Sequence, residues 1–363
     1  MLKILHGADF HLDSPFSALP PEQAAQRRRE QRELLDRFAQ LARDRDAGLV
    51  LLSGDLFDSG KTYYETTQAL AKALGQIPAP VFIAPGNHDW YGSRSPYASI
   101  RWPDNVHIFR TRSMERVELP QLGCVVYGAA FTAPAQEESL LDGFQPEADS
   151  GLLRLMVLHG DVEAPGAYNS MTREQLAASG MDYIALGHVH TASGLQQAGS
   201  VFYACPGCPE GRGFDELDEK GVLLVAAQKG QVQTEFLPLA RRQYHILDID
   251  VTDKAPAQAL AEVLPHLDPG HIYRLRLTGE AELGAVRLDA LAAQAEGSCY
   301  SVSLRDRTTV RRDLWARKGE DSLTGLFLTE LERRLEAADE VERQVLTRAV
   351  RFGMAALEGG EDL

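Results

Sequence analysis

Five short sets of residues in this chain have the types and spacing to do chemistry: Asp9-Phe10-His11, Gly54-Asp55, Gly86-Asn87-His88-Asp89, His159-Gly160-Asp161 and Gly187-His188-Val189-His190. Each follows a short apolar run, in order LKILHGA, GLVLLS, APVFIAP, LRLMVL and MDYIAL. Asp9 and His11 are two positions apart, as are His188 and His190, so in extended chain each pair points to one side. Glycines at 54, 86, 160 and 187 let the backbone turn sharply beside a ligand. Carboxylate, carboxamide and imidazole donors together suit manganese, iron or zinc better than calcium. One Asp can bridge two ions with its two oxygens. Two ions about 3.5–4 Å apart stabilise both the attacking and the leaving oxygen of an in-line displacement at phosphorus. Any one of these motifs alone is weak. Five in order, holding five of the ten histidines, is not a chance pattern.

The elements that must position these residues follow from the periodicity. Near-continuous apolar runs bounded by charged loops read as buried strands, and the carboxyl ends of such strands are where α/β sites form. Glu22 to Arg45 reads as a long helix, with Leu34, Leu35, Phe38 and Leu41 at helical spacing, and Tyr63 to Leu74 as a second. This alternation predicts a layered α/β domain over residues 1–240. From Arg241 the order changes. YHILDIDV, IYRLRLTG and CYSVSLRD read as strands, with helices over Ala257–His266 and Ala285–Ala295, which predicts a small α/β cap over 241–318. In 319–363, Leu323, Leu326, Phe327, Leu331 and Leu335, then Val341, Val345, Leu346, Val350, Met354 and Leu357, repeat at helical spacing. They predict two amphipathic helices, with GGEDL fraying at the end.

Composition excludes several classes. The first residues, MLKILHGADF, read as a strand rather than a leader, and no apolar run is long enough to span a bilayer, so a soluble cytoplasmic protein is expected. Cys124, Cys205, Cys208 and Cys299 are too few and scattered for a disulfide framework. Cys205 and Cys208 form a C-x-x-C, but no second ligand pair completes a structural zinc site, and two free thiols in a turn is the better reading. The net charge of −15 counts against a simple electrostatic DNA binder, although metal ions and a local basic face can offset it. It suggests that tight DNA binding needs a partner.

The set D-x-H, GD, GNHD, HGD and GHVH resembles the calcineurin-like metallophosphoesterases. Within them, GADFHLDSPF and GDLFDSG resemble the SbcD-type DNA nucleases, and CPGCPEGRGFDELDEKG resembles the loop after GHxH in the YhaO-like branch. The resemblance is strong over residues 1–240 and weaker beyond. It implies a four-layer sandwich of two mixed β-sheets flanked by helices, with a small α/β cap and a helical C-terminal tail. It implies one metal held by Asp9, His11, Asp55 and His190 and another by Asp55, Asn87, His159 and His188. Asp55 would be the bridge, and water between two divalent ions, usually manganese, the nucleophile. His88 would act on the scissile phosphate rather than bind metal. DNA, an SMC-like coiled-coil ATPase and a second copy of the chain are the implied partners.

Other residues carry open readings. Asp58 could orient His88 or a ligand, or sit near a helix N-terminus. Asp89 and Asp161 read as braces of their loops, and His6, in the opposite register, as structural. His107, His245, His266 and His271 fall outside any motif. Arg27, Arg28 and Arg29 read as a solvated face, with phosphate contact the alternative, and Arg212 as the better phosphate candidate. The basic stretch 305–318, with Trp315 inside it, reads as a linker or as a nucleic-acid grip. The tail helices would pack on the cap or dock a partner's coiled coil. The leading expectation is metal-dependent hydrolysis of DNA in repair, as exonuclease, with endonuclease action left open. A phosphatase or phosphodiesterase acting on a small nucleotide or phosphoprotein, and a binding subunit of an ATPase complex with gated nuclease activity, are the rivals.

Overall fold

The computed structural model describes residues 1–357 except 18, 148–150, 165, 167, 283 and 311–314. GGEDL and part of the 305–318 stretch therefore lie outside the described residues. Two compact units divide the chain. One comprises Met1–Leu247, His266–Arg274 and Glu296–Ser303; the other comprises Asp248–Pro265, Leu275–Ala295 and Leu304–Leu363.

The first unit begins with β1 (Leu2–Gly7), α1 (Pro21–Asp44), β2 (Leu49–Leu52), α2 (Tyr64–Gly75), β3 (Val81–Ile83), α3 (Pro96–Ser99) and β4 (Val106–Ile108). It continues with β5 (Glu115–Leu119), β6 (Cys124–Gly128), β7 (Leu153–His159), α4 (Arg173–Ala178), β8 (Tyr183–Gly187), β9 (Gln196–Ala198) and β10 (Val201–Ala204). The long strands β11 (Gly221–Gln228) and β12 (Gln231–Pro238) follow as a hairpin. Two six-stranded sheets result, one in the order β12-β11-β1-β2-β3-β4 and the other β5-β6-β7-β8-β10-β9. Both are mixed. β1 to β4 run parallel while β11 is antiparallel to β1, and β6, β7 and β8 run parallel while β5 is antiparallel to β6.

The strand alternation decides the layers. Leu5, Val50 and Leu52 point to one face and pack with Leu34, Leu35 and Phe38 of α1 and Leu70 and Leu74 of α2. Ile4, Leu49 and Leu51 point to the other face and meet Val126, Leu155, Val157 and Ala185 of the second sheet. Met156, Leu158, Ile184 and Leu186 form the far face of that sheet with Leu176 of α4. The result is the expected four-layer sandwich. Strands buried on both faces explain why these runs are apolar throughout rather than alternating. Removing a side chain such as Leu51, with no exposed surface, would cost about 2–5 kcal/mol through the cavity left behind.

The remaining strands and helices are β13 (Tyr244–Asp250), α5 (Pro256–Val263), β14 (Ile272–Thr278), β15 (Glu280–Ala281), α6 (Leu288–Ala295), β16 (Ser301–Asp306), β17 (Thr309–Val310), α7 (Leu323–Ala337) and α8 (Glu340–Leu357). β13, β14 and β16 form a three-stranded sheet in that order. α7 and α8 pack on each other through Leu328, Leu331, Leu346, Val350 and Met354, whereas Leu323, Leu326 and Val345 are exposed. Apolar residues occupy more than one stripe of α7, and the partner helix selects the stripe containing Leu328. Among the described residues no helix is long and apolar enough to cross a membrane.

Candidate metal centre

All five motifs leave the carboxyl ends of strands in the first unit and meet at one place. Backbone strain marks it: Asp9, His11, Asp55 and His188 have φ of 54°, 43°, 49° and 98°. Non-glycine residues hold such angles only where surrounding contacts over-determine them, and they concentrate at functional sites. Here Asp9 N–H donates to Gly54 O at 3.0 Å, and His11 N–H to Asp55 O at 3.0 Å, which splices the first two loops together. Two glycines allow the close approach. A Cβ on Gly86 would stand 2.3 Å from Asp55 Oδ1, and one on Gly187 would stand 2.1 Å from Ser53 O.

The side chains form two adjoining groups. Asp9, His11 and His190 bring one ligand atom each within 4.8 Å of one another, and so do Asp55, His159 and His188. Asn87 joins the second group, its Oδ1 lying 2.9 Å from His159 Nε2 and 3.2 Å from His188 Nδ1. Asp55 Oδ2 stands between the groups, 3.4 Å from His159 Nε2 and 3.9 Å from His11 Nε2. The seven residues singled out as ligands from sequence are thus brought together. His88 is exposed at the edge, with its ring centroid 4.8 Å from that of His11. Its Nδ1–H donates to Asp58 O at 2.8 Å, and its backbone N–H donates to Asp55 Oδ1 at 2.9 Å.

The donor chemistry fits cations. His11 Nε2 faces His190 Nε2 at 3.1 Å, an arrangement of two ring nitrogens that a shared positive centre satisfies. His159 Nδ1–H donates to Ser53 O at 2.8 Å, so the lone pair is on Nε2, where the other donors converge. Burial lowers the pKa of His11 to about 3 and those of His159 and His188 to about 4, so these rings are neutral ligands near pH 7. Burial, and for Asp9 the neighbouring Asp55, raises the carboxyl pKa values of Asp9 and Asp55. Carboxylates crowded in this way are short of positive charge, which bound cations supply.

Among the supporting residues, Glu216 gives no local signal in the sequence. Glu216 is buried, its Oε1 2.8 Å from His190 Nδ1, and it bonds Arg212 at 2.5 Å. Arg212 is therefore committed to Glu216 and to Asp58 at 3.1 Å, and braces the ligands beside the centre. Asp58 stands 3.3 Å from His11 Nδ1 and accepts from Ser14 Oγ at 2.7 Å, so of its two readings the structure places it at the site. Asp89 accepts from the N–H groups of Gly86, Asp55 and Leu56 and from Tyr97 Oη, tying the GD and GNHD loops together. Asp161 accepts from Val162 N–H within its own loop. His6 is fully buried, bonded to Tyr183, Ser53 and Leu186. Cys205 and Cys208 are free thiols that donate to Val189 O and His190 O, under the GHVH loop.

One expectation is overturned. Arg27 belongs neither to a solvated face nor to a phosphate contact. It is fully buried, paired with Glu30 at 2.8 Å and Glu210 at 2.7 Å, and it donates to Gly211 O at 3.0 Å. A guanidinium without water needs such compensation. Arg28 is half-buried and donates to Pro15 O, and Arg29 is exposed.

The family profile described as calcineurin-like phosphoesterase matches residues 2–192. The chain belongs to that family. Calcineurin-like phosphoesterases use a dinuclear metal site, and both groups of ligands lie within the matched residues. The chain is similar to "Uncharacterized metallophosphoesterase YhaO" of Bacillus subtilis (strain 168), 31% identical over 281 residues, covering 72% of this chain and 66% of that one. It is similar to the D subunit of the SbcCD nuclease of the same organism, 26% identical over 207 residues, covering 54% and 48%. It is also similar to "DNA double-strand break repair protein Mre11" of Saccharolobus solfataricus, 23% identical over 242 residues, covering 63% and 61%. The chain thus spans less than two thirds of the length of each of these relatives.

Proposed function

We propose that this phosphoesterase hydrolyses phosphodiester bonds of DNA in repair, as an exonuclease, beside an SMC-like coiled-coil ATPase. The observation that carries the chemistry is Asp55 Oδ2 standing between two ligand groups, with His88 exposed at their edge. Similarity to a nuclease subunit and to a double-strand break repair protein supports DNA as the substrate.

In this reading Asp9, His11, Asp55 and His190 hold one divalent cation and Asp55, Asn87, His159 and His188 the other, manganese being the expected ion and iron or zinc the alternatives. Bound cations supply Lewis acidity at phosphorus and lower the pKa of water. The protein's part is placement. Ser53 O turns His159, Glu216, itself held by Arg212, turns His190, and Asp89 fixes the loops carrying Asp55 and Asn87. His88 acts on the substrate: with Nδ1–H held by Asp58 O, the ring in its doubly protonated form donates its Nε2–H to the leaving oxygen or to a phosphoryl oxygen as charge builds. A gated binding subunit is the second reading, favoured by the net charge of −15.

The test is hydrolysis of single- and double-stranded DNA with added manganese, beside bis-p-nitrophenyl phosphate, for wild type and His88→Ala. DNA cleavage should fall about 10²–10⁴-fold in the variant while its metal content stays at the wild-type level. Cleavage of the small ester but not of DNA, with or without an ATPase partner, would overturn the DNA assignment. Loss of metal from His88→Ala would overturn the role given to His88.

A further inference from the structure

The two ligand groups differ in what stands behind them. Around Asp9, His11 and His190, each imidazole has a carboxylate at its Nδ1. Asp58 Oδ1 lies 3.3 Å from His11 Nδ1, and Glu216 Oε1 lies 2.8 Å from His190 Nδ1. One side chain spans both carboxylates. Arg212 Nη1–H donates to Asp58 Oδ1 at 3.1 Å, while Nη2–H and Nε–H donate to Glu216 Oε1 at 2.5 and 3.1 Å. A guanidinium is a planar fork, so it fixes the two acceptors relative to each other. The ring directions of His11 and His190 therefore depend on one residue, although these histidines are 179 positions apart.

Arg212 is itself held on both sides. Gly211 O accepts from Arg27 Nη2–H at 3.0 Å, and Arg212 O accepts from Tyr244 Oη–H at 3.0 Å. Arg212 N–H donates to Glu216 Oε2 at 2.7 Å. Arg27 lies on α1 with no exposed surface, neutralised by Glu30 and Glu210. From the same helix the buried Gln31 donates Nε2–H to His11 O at 3.1 Å, at a residue whose φ is 43°. Thus α1 anchors His11 directly and His190 through Arg212.

The group of Asp55, Asn87, His159 and His188 has different support. His159 Nδ1–H donates to Ser53 O at 2.8 Å, and His159 O accepts from Asn169 Nδ2–H at 2.7 Å. Asp89 gathers the N–H groups of Gly86, Asp55 and Leu56. These contacts do not pass through Arg212.

We propose that Arg212 is a positioning residue for one cation site alone, so that the ion at Asp9, His11, Asp55 and His190 is gained and lost separately from the ion at Asp55, Asn87, His159 and His188. The proposal rests on the two-cation reading of the centre. It adds that the affinity of one ion is set outside its ligands, by the span of Arg212 across Asp58 and Glu216.

The test is manganese titration calorimetry and electron paramagnetic resonance on wild type, Arg212→Met and Arg212→Lys. His190→Ala and His159→Ala serve as references for loss at one site and at the other. Arg212→Met should weaken one manganese ion about 10–100-fold and leave the other at its wild-type affinity. At limiting manganese the exchange-coupled spectrum of adjacent ions should give way to that of an isolated ion, matching His190→Ala rather than His159→Ala. Arg212→Lys keeps the charge but cannot fork between two carboxylates, so it should recover part of the affinity. Should Arg212→Met fail to fold by thermal melting in EDTA, the smaller loss in Arg212→Lys carries the test. Equal weakening of both ions, or a spectrum matching His159→Ala, would overturn the role given to Arg212. Coupled ions in wild type with unchanged affinities in the folded variants sink the proposal and leave the two-cation reading standing. A wild type that never holds two ions sinks that reading and the proposal with it.

Discussion

Glu216 Oε1 lies 2.8 Å from His190 Nδ1, and this contact sets which ring nitrogen of His190 faces the centre. The carboxylate holds the proton on Nδ1 and leaves the Nε2 lone pair toward His11. Carboxylate partners of this kind raise ligand basicity and fix ring orientation. Glu216→Ala should weaken manganese binding about 10–100-fold by titration calorimetry, and Glu216→Gln should recover part of the loss. Unchanged affinity in both would show that Glu216 has no hold on His190.

Asp55 reaches both ligand groups, so its loss should be felt by both ions. Asp55→Asn keeps the shape but removes one charge and one bridging oxygen. Metal analysis after dialysis should show fewer than two ions per chain, and hydrolysis should fall to background. Two retained ions with full turnover would refute the bridging role.

Asp89 ties the GD and GNHD loops together by accepting from their backbone N–H groups. Burial, with repulsion from Asp55, raises its pKa to about 6. Asp89→Asn would aim an amide donor at those donors. It should lower unfolding stability by about 1–3 kcal/mol in urea titrations and weaken metal binding as the loops part. A variant as stable as wild type would show that the loops are held by other contacts.

His6 provides a pH test away from the metal ligands. Burial lowers its pKa from 6.5 to about 3. The unfolded chain therefore takes up a proton below pH 6.5 that the folded chain refuses until about pH 3. Stability from this site is fully present above pH 6.5 and declines as pH falls through that window, by about 1.4 kcal/mol per unit. The stability advantage of wild type over His6→Gln should shrink by about 2 kcal/mol between pH 6.5 and 5, measured by urea unfolding. A pH-independent difference would mean that His6 protonates in the folded state.

Features whose logic is local can be read from the order of residues. Apolar runs ending in Asp, His and Asn prescribe strands that deliver ligands at their carboxyl ends, and spacing of two puts Asp9 with His11 and His188 with His190. Strand burial on both faces follows from continuous apolarity, which is why a layered α/β domain is legible, while the four-layer arrangement is what the family resemblance implies. Whatever depends on which loops meet emerges only on folding. Glu216 gives no local signal because its partner His190 belongs to another loop, and Arg27 reads as surface because Glu210, which neutralises it, is distant in the chain. In α7 the repeat fits more than one stripe, and packing against α8 buries Leu328 and leaves Leu326 in solvent. Periodicity records that a helix or strand has an apolar face, while the partner that covers it, and the charge that compensates a buried group, come from long-range contacts.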